Sequence, residues 1–531
     1  MSTNKSVARS ASVIGLATFC SRLLGFVRDV VIARIFGVYL YAQAFVIAFK
    51  IPNLFRDMVG EGATNAAIVP VFSEYITKHS KEEFWELANV VLNLLLVILS
   101  VITLLGIIFT PLIVRLIAPG FAADPAKLAA TIKLTRIIFP YILLVSLAAY
   151  SMGILNSLRH FALPAFAPCF LNISIIVFAI LFGEGIKGLS LGVLVGGVLQ
   201  LIIQIPILYQ KGFRLHLFRH FRHPAAKTIG ILMLPRLLSS CIYQLNNFVD
   251  SIFGSLAFVV GEGGVAVLYF AYRLIQFPLG IFSNSLSQAV LPTMSTQALE
   301  GNRQNLKHTL SWGLRANFFV LLPASAAFMV LAHLIVSTLF QGGRFDNYSV
   351  YVTAQTLFFY SLGLFAYGGK KILQSCFFAL KDTVTPAKIA TLSLVLNILF
   401  NIIFMFPLKI AGLALATSLS GIITFFILLV LLKRKLGSFR TRALVVSFLR
   451  IFLASVCMGI VCHLIAKRDG LLTAGMTARI INLGFILFFG FLSYIGFCFI
   501  FRVSEVRELW AWIRKKIRDG SQDEAKVSPG D

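Results

Sequence analysis

Residues 19–37 read FCSRLLGFVRDVVIARIFG. The stretch is apolar and, at about 1.5 Å per residue, long enough as a helix to cross most of a bilayer's hydrocarbon core. Yet it carries Arg22, Arg28, Asp29 and Arg34. A charge at mid-bilayer depth costs about 2.5–3.5 kcal/mol on insertion scales. A helix with this composition therefore needs protein or water beside it, within a bundle of other spans.

The rest of the chain supplies them. Of 531 residues, 58% are hydrophobic and 13% charged, whereas a soluble domain is about 45–50% apolar and about 25% charged. The composition predicts an all-α polytopic membrane protein. Apolar runs continue unbroken over about 20 residues without period-two alternation, which argues against a β-barrel. Fourteen spans are expected, near 11–37, 41–76, 86–117, 129–156, 163–183, 188–209, 227–254, 263–296, 309–340, 350–379, 385–406, 409–432, 444–466 and 476–501. The second and eighth are interrupted by VGEGA and FPLG. The first apolar run is too long and too charged for a cleavable signal peptide.

The net charge of +26 would suggest nucleic acid in a soluble protein. Here most basic residues fall in alternate loops, among them Lys78, Lys81, Arg159, Arg214, Arg303, Lys381 and Lys433 to Lys435. That bias predicts both termini in the cytoplasm and contact with anionic membrane lipids, with no nucleic-acid partner. The seven cysteines lie almost wholly in apolar runs without CxxC pairs and read as small apolar fillers. The run RLHLFRHFRHP reads as a basic loop, because it lacks cysteine or carboxylate partners for a metal.

Two halves of the chain resemble each other. Pro70 and Pro292 are 222 residues apart in similar segments, as are Pro164 and Pro386, while Gly188 and Gly412 are 224 apart. Six spans per repeat give both copies one orientation, so the repeats are parallel. The expected organisation is an N-terminal six-helix lobe over 1–210, a basic loop over 211–226 and a C-terminal six-helix lobe over 227–433. Two extra spans over 434–502, an amphipathic helix over 503–519 and a disordered tail over 520–531 complete it. Paired homologous bundles around a midplane site are a transporter design.

Basic residues outnumber acids among the buried charges. Span 1 holds Arg22, Arg28 and Asp29, span 2 holds Lys50, Arg56, Asp57 and Glu61, and span 8 holds Arg273. Arg22, Gly25 and Asp29 follow i, i+3, i+7 and are expected on one face, with Arg28 directed elsewhere. Surplus guanidinium groups suit an anion with phosphate oxygens held bidentately. No HExxH, GxSxG or P-loop occurs. A membrane-embedded enzyme would have to rely on Asp29, Asp57 or Glu61. A channel lacks its pore-loop signature.

The motifs SRLLGFVRDVVIARIFG, FKIPNLFRDMVGEGATNAAIVPVFSEY and YFAYRLIQFPLGIF…LPTMS resemble the lipid II flippase family (MurJ/MviN). It belongs to the multidrug/oligosaccharidyl-lipid/polysaccharide exporter superfamily, and the resemblance runs over all fourteen spans. It implies two six-helix lobes forming a V around a cationic cavity, with two added helices grooved for a prenyl tail. It further implies a non-enzymatic flippase in the bacterial cytoplasmic (inner) membrane that serves cell-wall synthesis. The substrate implied is lipid II, the undecaprenyl-pyrophosphate-linked disaccharide-pentapeptide, and cell-wall synthesis or division proteins are candidate partners. By motif position Arg28, Arg56 and Arg273 resemble the arginines that bind pyrophosphate and sugar, and Arg22, Asp29 and Glu61 match further functional positions. No organic cofactor is implied. Sodium is a candidate coupling ion, because Asp250, Asn397, Asn401, Thr417 and the backbone of Leu413 match a site in some members. Asn401 departs from the pattern, standing where such sites have a carboxylate. Gln43 replaces a common aspartate, Asp57 follows Arg56 where a second arginine occurs, and Tyr272 and Gln276 flank Arg273 where acids occur. The readings that compete are an exporter of another polyprenyl-linked saccharide and a drug/cation antiporter of the same superfamily.

Overall fold

The structure is a computed structural model. It describes residues 2–56, 68–183, 185–217, 223–437, 441–467 and 475–506, with side chains described throughout these except at 2–11, 234–247 and 441. It is all helical. The first elements are α1 (Ser2–Phe36), α2 (Leu40–Arg56), α3 (Val69–Lys78), α4 (Lys81–Ile117), α5 (Pro125–Ile138), α6 (Tyr141–Ser157), α7 (Ala162–Phe182), α8 (Ile186–Ile202), α9 (Ile205–Gln210) and α10 (Pro224–Gly254). There follow α11 (Ala257–Val260), α12 (Gly264–Pro278), α13 (Asn284–Leu299), α14 (Arg303–Val330), α15 (Ala332–Phe340), α16 (Asn347–Leu362), α17 (Leu364–Ala379), α18 (Val384–Leu436), α19 (Thr441–Ala466) and α20 (Met476–Ile500).

Among the described residues nine helical segments are long and apolar enough to cross a membrane, and α16 with α17, bent by 42° at their break, make a tenth. α18 holds two expected spans, which meet at Lys409, a non-helical residue with φ 53° and ψ −132° just after Pro407. The other expected spans coincide with α1, with α2 and α3, and with α10, which are helical over their described residues but not among those segments. The expected break at FPLG is a π-helical turn, Leu279–Ser283, following Pro278. The break at VGEGA, with Asp57 and Glu61, lies outside the described residues, as does most of the expected amphipathic tail.

Local chemistry sets several helix ends. Ser80 caps α4 by accepting the backbone N–H of Glu83, satisfying one orphan donor of the first turn, and its hydroxyl donates to the Glu83 carboxylate at 3.3 Å. Asp124 caps α5 at the N–H of Lys127. Gly188 and Gly412, matched by the repeat, do the same work. A Cβ at Gly188 would stand 2.6 Å from the carbonyl oxygen of Phe178, and one at Gly412 would stand 2.1 Å from that of Phe404. Each glycine lets its helix return closely against the preceding one.

The chain forms two compact units. The first is Met1–Phe270 with Phe340–Ser349, and the second is Ala271–Leu339 with Val350–Asp531. In the first, Phe72 packs edge-on against Phe84 and Tyr150 at centroid distances of 5.5 and 6.2 Å. The buried Tyr150 hydroxyl donates to the Ala88 carbonyl at 2.6 Å, satisfying the polar end of an otherwise apolar core. Asn89 and Asn93 on α4 clamp the start of the basic loop through the backbone of Arg214 and His216.

Candidate functional site

The charge problem of α1 is answered inside the first unit. Asp29 is fully buried and Arg28 is 6% exposed. Asp29 Oδ1 accepts from Arg28 Nε at 3.0 Å, from Arg28 Nη2 at 2.7 Å and from the Tyr269 hydroxyl at 3.0 Å. Arg28 Nη2 also donates to the Tyr269 oxygen at 3.1 Å, and Nη1 donates to Asn172 Oδ1 at 3.1 Å. The Phe49 ring lies 5.6 Å from the guanidinium carbon, within cation–π range. Asn172 is positioned in turn, its amide N–H groups donating to the carbonyls of Ser21 and Pro168 at 3.2 Å. Three helices, α1, α7 and α12, thus converge on one guanidinium. Desolvating each ion costs several kcal/mol, and such a pair is tolerated only where further hydrogen bonds complete it; here Tyr269 and Asn172 do so.

This arrangement corrects one expectation. Arg22, Gly25 and Asp29 do not share an environment, because Gly25 and Asp29 are buried while Arg22 is exposed. Seven residues bring a side chain back to almost the same angle but move it about 10 Å along the axis. Arg22 therefore sits two turns nearer the N-terminus, among exposed Phe19 and Leu23. Arg28 does not point away from Asp29 either, since its long side chain wraps the 100° between them and pairs with its neighbour.

The remaining expected residues are distributed as follows. Lys50 on α2 donates to the Ser251 hydroxyl, lies 5.6 Å from the Phe248 ring centroid and is attracted by the charge of Asp250. Arg56 is the last residue of α2, partly buried and engaged. Glu61 lies outside the described residues. Arg273 belongs to the second unit, partly buried and engaged, beside Tyr272, whose ring packs edge-on against Tyr360 at 5.6 Å. Of the expected sodium set, Asp250 belongs to the first unit and Asn397, Asn401 and Thr417 to the second. Asn401 Nδ2 donates to Asn397 Oδ1 at 3.1 Å, Asn397 Nδ2 to the Thr417 hydroxyl at 3.0 Å, and that hydroxyl to the Leu413 carbonyl at 3.1 Å. Asn401 Oδ1 is buried without a hydrogen-bond partner.

Sequence reasoning passed over a second polar hub of the first unit. Glu262, in the turn after α11, accepts from the 4%-exposed Lys127 at 2.8 Å and from Gln43 at 3.1 Å, and its carbonyl accepts from the Tyr348 hydroxyl at 3.1 Å. Beside it Tyr39 donates to Asp346 at 2.6 Å. Burial and that carboxylate push the Tyr39 hydroxyl up to about 12. Gln43, which departs from the family's common aspartate, therefore retains a bonding role through Glu262.

Against known proteins, the family profile described as lipid II flippase MurJ matches residues 32–487. The chain belongs to the lipid II flippase MurJ family. Relatives within it include the probable lipid II flippase MurJ of Buchnera aphidicola subsp. Acyrthosiphon pisum, 35% identical over 502 residues, covering 93% of this chain and 97% of that one. The lipid II flippase MurJ of Burkholderia cenocepacia is 32% identical over 426 residues, covering 79% and 82%. Among solved structures, a lipid II flippase MurJ in an inward closed conformation matches with a TM-score of 0.77 at 29% identity, over 93% of this chain and 99% of the other. An inward-facing multidrug resistance MATE transporter of the MOP superfamily matches with a TM-score of 0.67 at 15% identity, over 79% and 96%, and shares the fold. The MurJ family is a transporter family, and this chain is a multi-pass membrane protein of it.

Proposed function

We infer that this protein carries lipid II, the lipid-linked peptidoglycan precursor, from the inner to the outer leaflet of the cytoplasmic membrane by alternating access. Membership of the MurJ family over nearly the whole chain carries this reading. The positive-inside bias of the loops supports cytoplasmic termini. In this reading Arg28, Arg56 and Arg273 hold the pyrophosphate and sugar, while Arg22, Asp29 and Glu61 tune that site. The undecaprenyl tail stays in lipid along α19 and α20, whose exposed apolar residues include Phe488, Phe491 and Leu464.

The Arg28 cluster supplies a physical account of capture. Asp29, Tyr269 and Asn172 fix the guanidinium fork before substrate arrives, so little side-chain entropy is lost on binding. A phosphate offers the fork the same planar, two-oxygen partner that a carboxylate does. Substrate oxygens then meet the Arg28 guanidinium in place of Asn172 and the Tyr269 oxygen while Asp29 keeps its pair, and release restores those two contacts. The exchange keeps the arginine from being left uncompensated in either state.

The residues present fit sodium poorly. The oxygens of Asn397 and Thr417 already accept amide N–H groups, and Thr417 spends its proton on Leu413. Asn401 contributes a neutral amide oxygen where a carboxylate would attract a hard cation. Asp250, the one acid of the set, interacts electrostatically with Lys50. No step of transport is therefore assigned to sodium.

The test is growth of a strain depleted of its own flippase. Arg28→Lys, which keeps a cation beside Asp29 but loses the fork, and Arg273→Ala are each expected to abolish support of growth while the protein inserts at normal levels. Full support from both variants would overturn the substrate-site assignment.

A further inference from the structure

The second unit holds a partly buried cation with no role in the account above. Lys370 and Lys371 are consecutive on α17 and both partly buried. Lys371 Nζ donates to Asn284 Oδ1, where the π-helical turn passes into α13. Lys370 Nζ reaches toward α18, where its hydrogen bond among the described residues is to the Ser393 hydroxyl at 3.5 Å. That is too long to compensate a full charge.

Among the described residues of the second unit, no carboxylate lies on an element packed against α17. The elements packed against α17 are α13, α14, α18 and the π-helical turn, and none of them, nor α17 itself, contains aspartate or glutamate. Glu300 and Asp382 flank these helices. Glu300 is an exposed cap beyond α13, and Asp382 is bonded by Lys435 and Thr385. On α18, Ser393 begins a buried row with Asn397 and Asn401 at i+4 and i+8. These dipoles can solvate an ion but cannot cancel its charge. An ammonium held partly out of water among neutral dipoles is stabilised by an anion brought beside it. The environment also favours one kind of anion. A lysine is a compact point charge, unlike the arginine fork suited to phosphate, and fits a single carboxylate oxygen or a halide.

We propose that Lys370, with Ser393 and the neighbouring Lys371, forms an anion site within the second unit, taking a carboxylate or a small monovalent anion. Resting on the flippase reading, the carboxylate source is the free C-terminal carboxylate of the pentapeptide headgroup. The inorganic source is chloride. In either case the site reads a charge other than the pyrophosphate, and it makes the second unit selective for anions where a cation antiporter needs acids.

The experiment is thermal unfolding of the full-length protein in detergent and dilute sodium HEPES, free of chloride and of carboxylates. It is titrated in separate arms with chloride, with water-soluble muramyl-pentapeptide, and with the same peptide amidated at its C-terminus. A saturable rise in midpoint is expected with chloride or with the free-acid peptide, and none with the amide. The apparent affinity should fall about tenfold or more in Lys370→Met, several-fold in Ser393→Ala, and little in Lys370→Arg. Chloride alone acting identifies the inorganic source, and the free-acid peptide alone identifies the headgroup; both support the site. No response to any probe, a response that survives in both Lys370→Met and Ser393→Ala, or a midpoint that follows sodium at constant anion would overturn it. Loss of lipid II binding with the Lys370-dependent response intact would remove the flippase reading and leave the anion site standing.

Discussion

Replacing Asp29 with alanine tests the central ion pair most severely. The substitution removes the acceptor of Arg28 Nε at 3.0 Å and Nη2 at 2.7 Å, and that of the Tyr269 hydroxyl at 3.0 Å. It leaves a guanidinium that is 6% exposed with Asn172 and the Tyr269 oxygen as its hydrogen-bond partners among the described residues. Breaking a buried pair from one side costs about 3–5 kcal/mol. That shifts the unfolding equilibrium by about two to three and a half orders of magnitude. Asp29→Asn keeps an acceptor and should lose less, about 1–3 kcal/mol. Arg28→Leu combined with Asp29→Leu removes both charges, and buried pairs replaced by apolar residues are often neutral. The double variant should therefore be markedly more stable than Asp29→Ala while failing to support growth. Equilibrium unfolding in mixed micelles reads the stabilities, and complementation reads the function. A loss below about 1 kcal/mol for Asp29→Ala, or a double variant no more stable than the single, would refute the reasoning.

Other consequences are independent of that pair. A Cβ at Gly120 would stand 2.1 Å from the Ser255 carbonyl oxygen, so Gly120→Ala should lower the thermal midpoint by forcing the turn off α10, a cost of about 1–3 kcal/mol. Glu262→Ala leaves the buried Lys127 with Asp124 at 3.9 Å as its remaining ion pair, and should cost about 1–3 kcal/mol by the same unfolding measurement. The Lys435 ammonium and the backbone N–H of Thr385 push the Asp382 carboxyl down to about 2. A depressed carboxyl stabilises fully above its unfolded value of about 4 and loses that contribution as pH falls toward about 2. Protection of the amides at the corner between α17 and α18, taken relative to the intrinsic exchange rate at each pH, should therefore fall over that window, and Asp382→Asn should abolish the dependence.

The helical architecture was legible because a membrane span must satisfy its own backbone, so apolar runs of sufficient length can hardly be anything else. Even breaks were readable where proline or glycine caused them, as at Pro278 and Lys409 after Pro407. The partners of the charges were not. Asn172 and Tyr269 lie 144 and 241 residues from Arg28, and one sequence carries no signal of that convergence. Tyr269 stands one turn before Arg273 in YFAYRLIQF, which was the only local hint. A helical wheel also misjudged α1, since angle alone separated Arg28 from Asp29 and grouped Asp29 with Arg22. Axial position and side-chain reach decided both contacts. The Lys370 environment was half legible, because the absence of acids in the surrounding helices is a sequence fact, while Ser393 as its neighbour is not.

Binding of the purified protein to lipid II, measured against other undecaprenyl-pyrophosphate-linked saccharides, tests the function most directly. The account predicts preferential binding of lipid II that Arg28→Ala and Arg273→Ala each weaken by about tenfold or more. Equal affinity for every lipid-linked saccharide, with no dependence on either arginine, would contradict it.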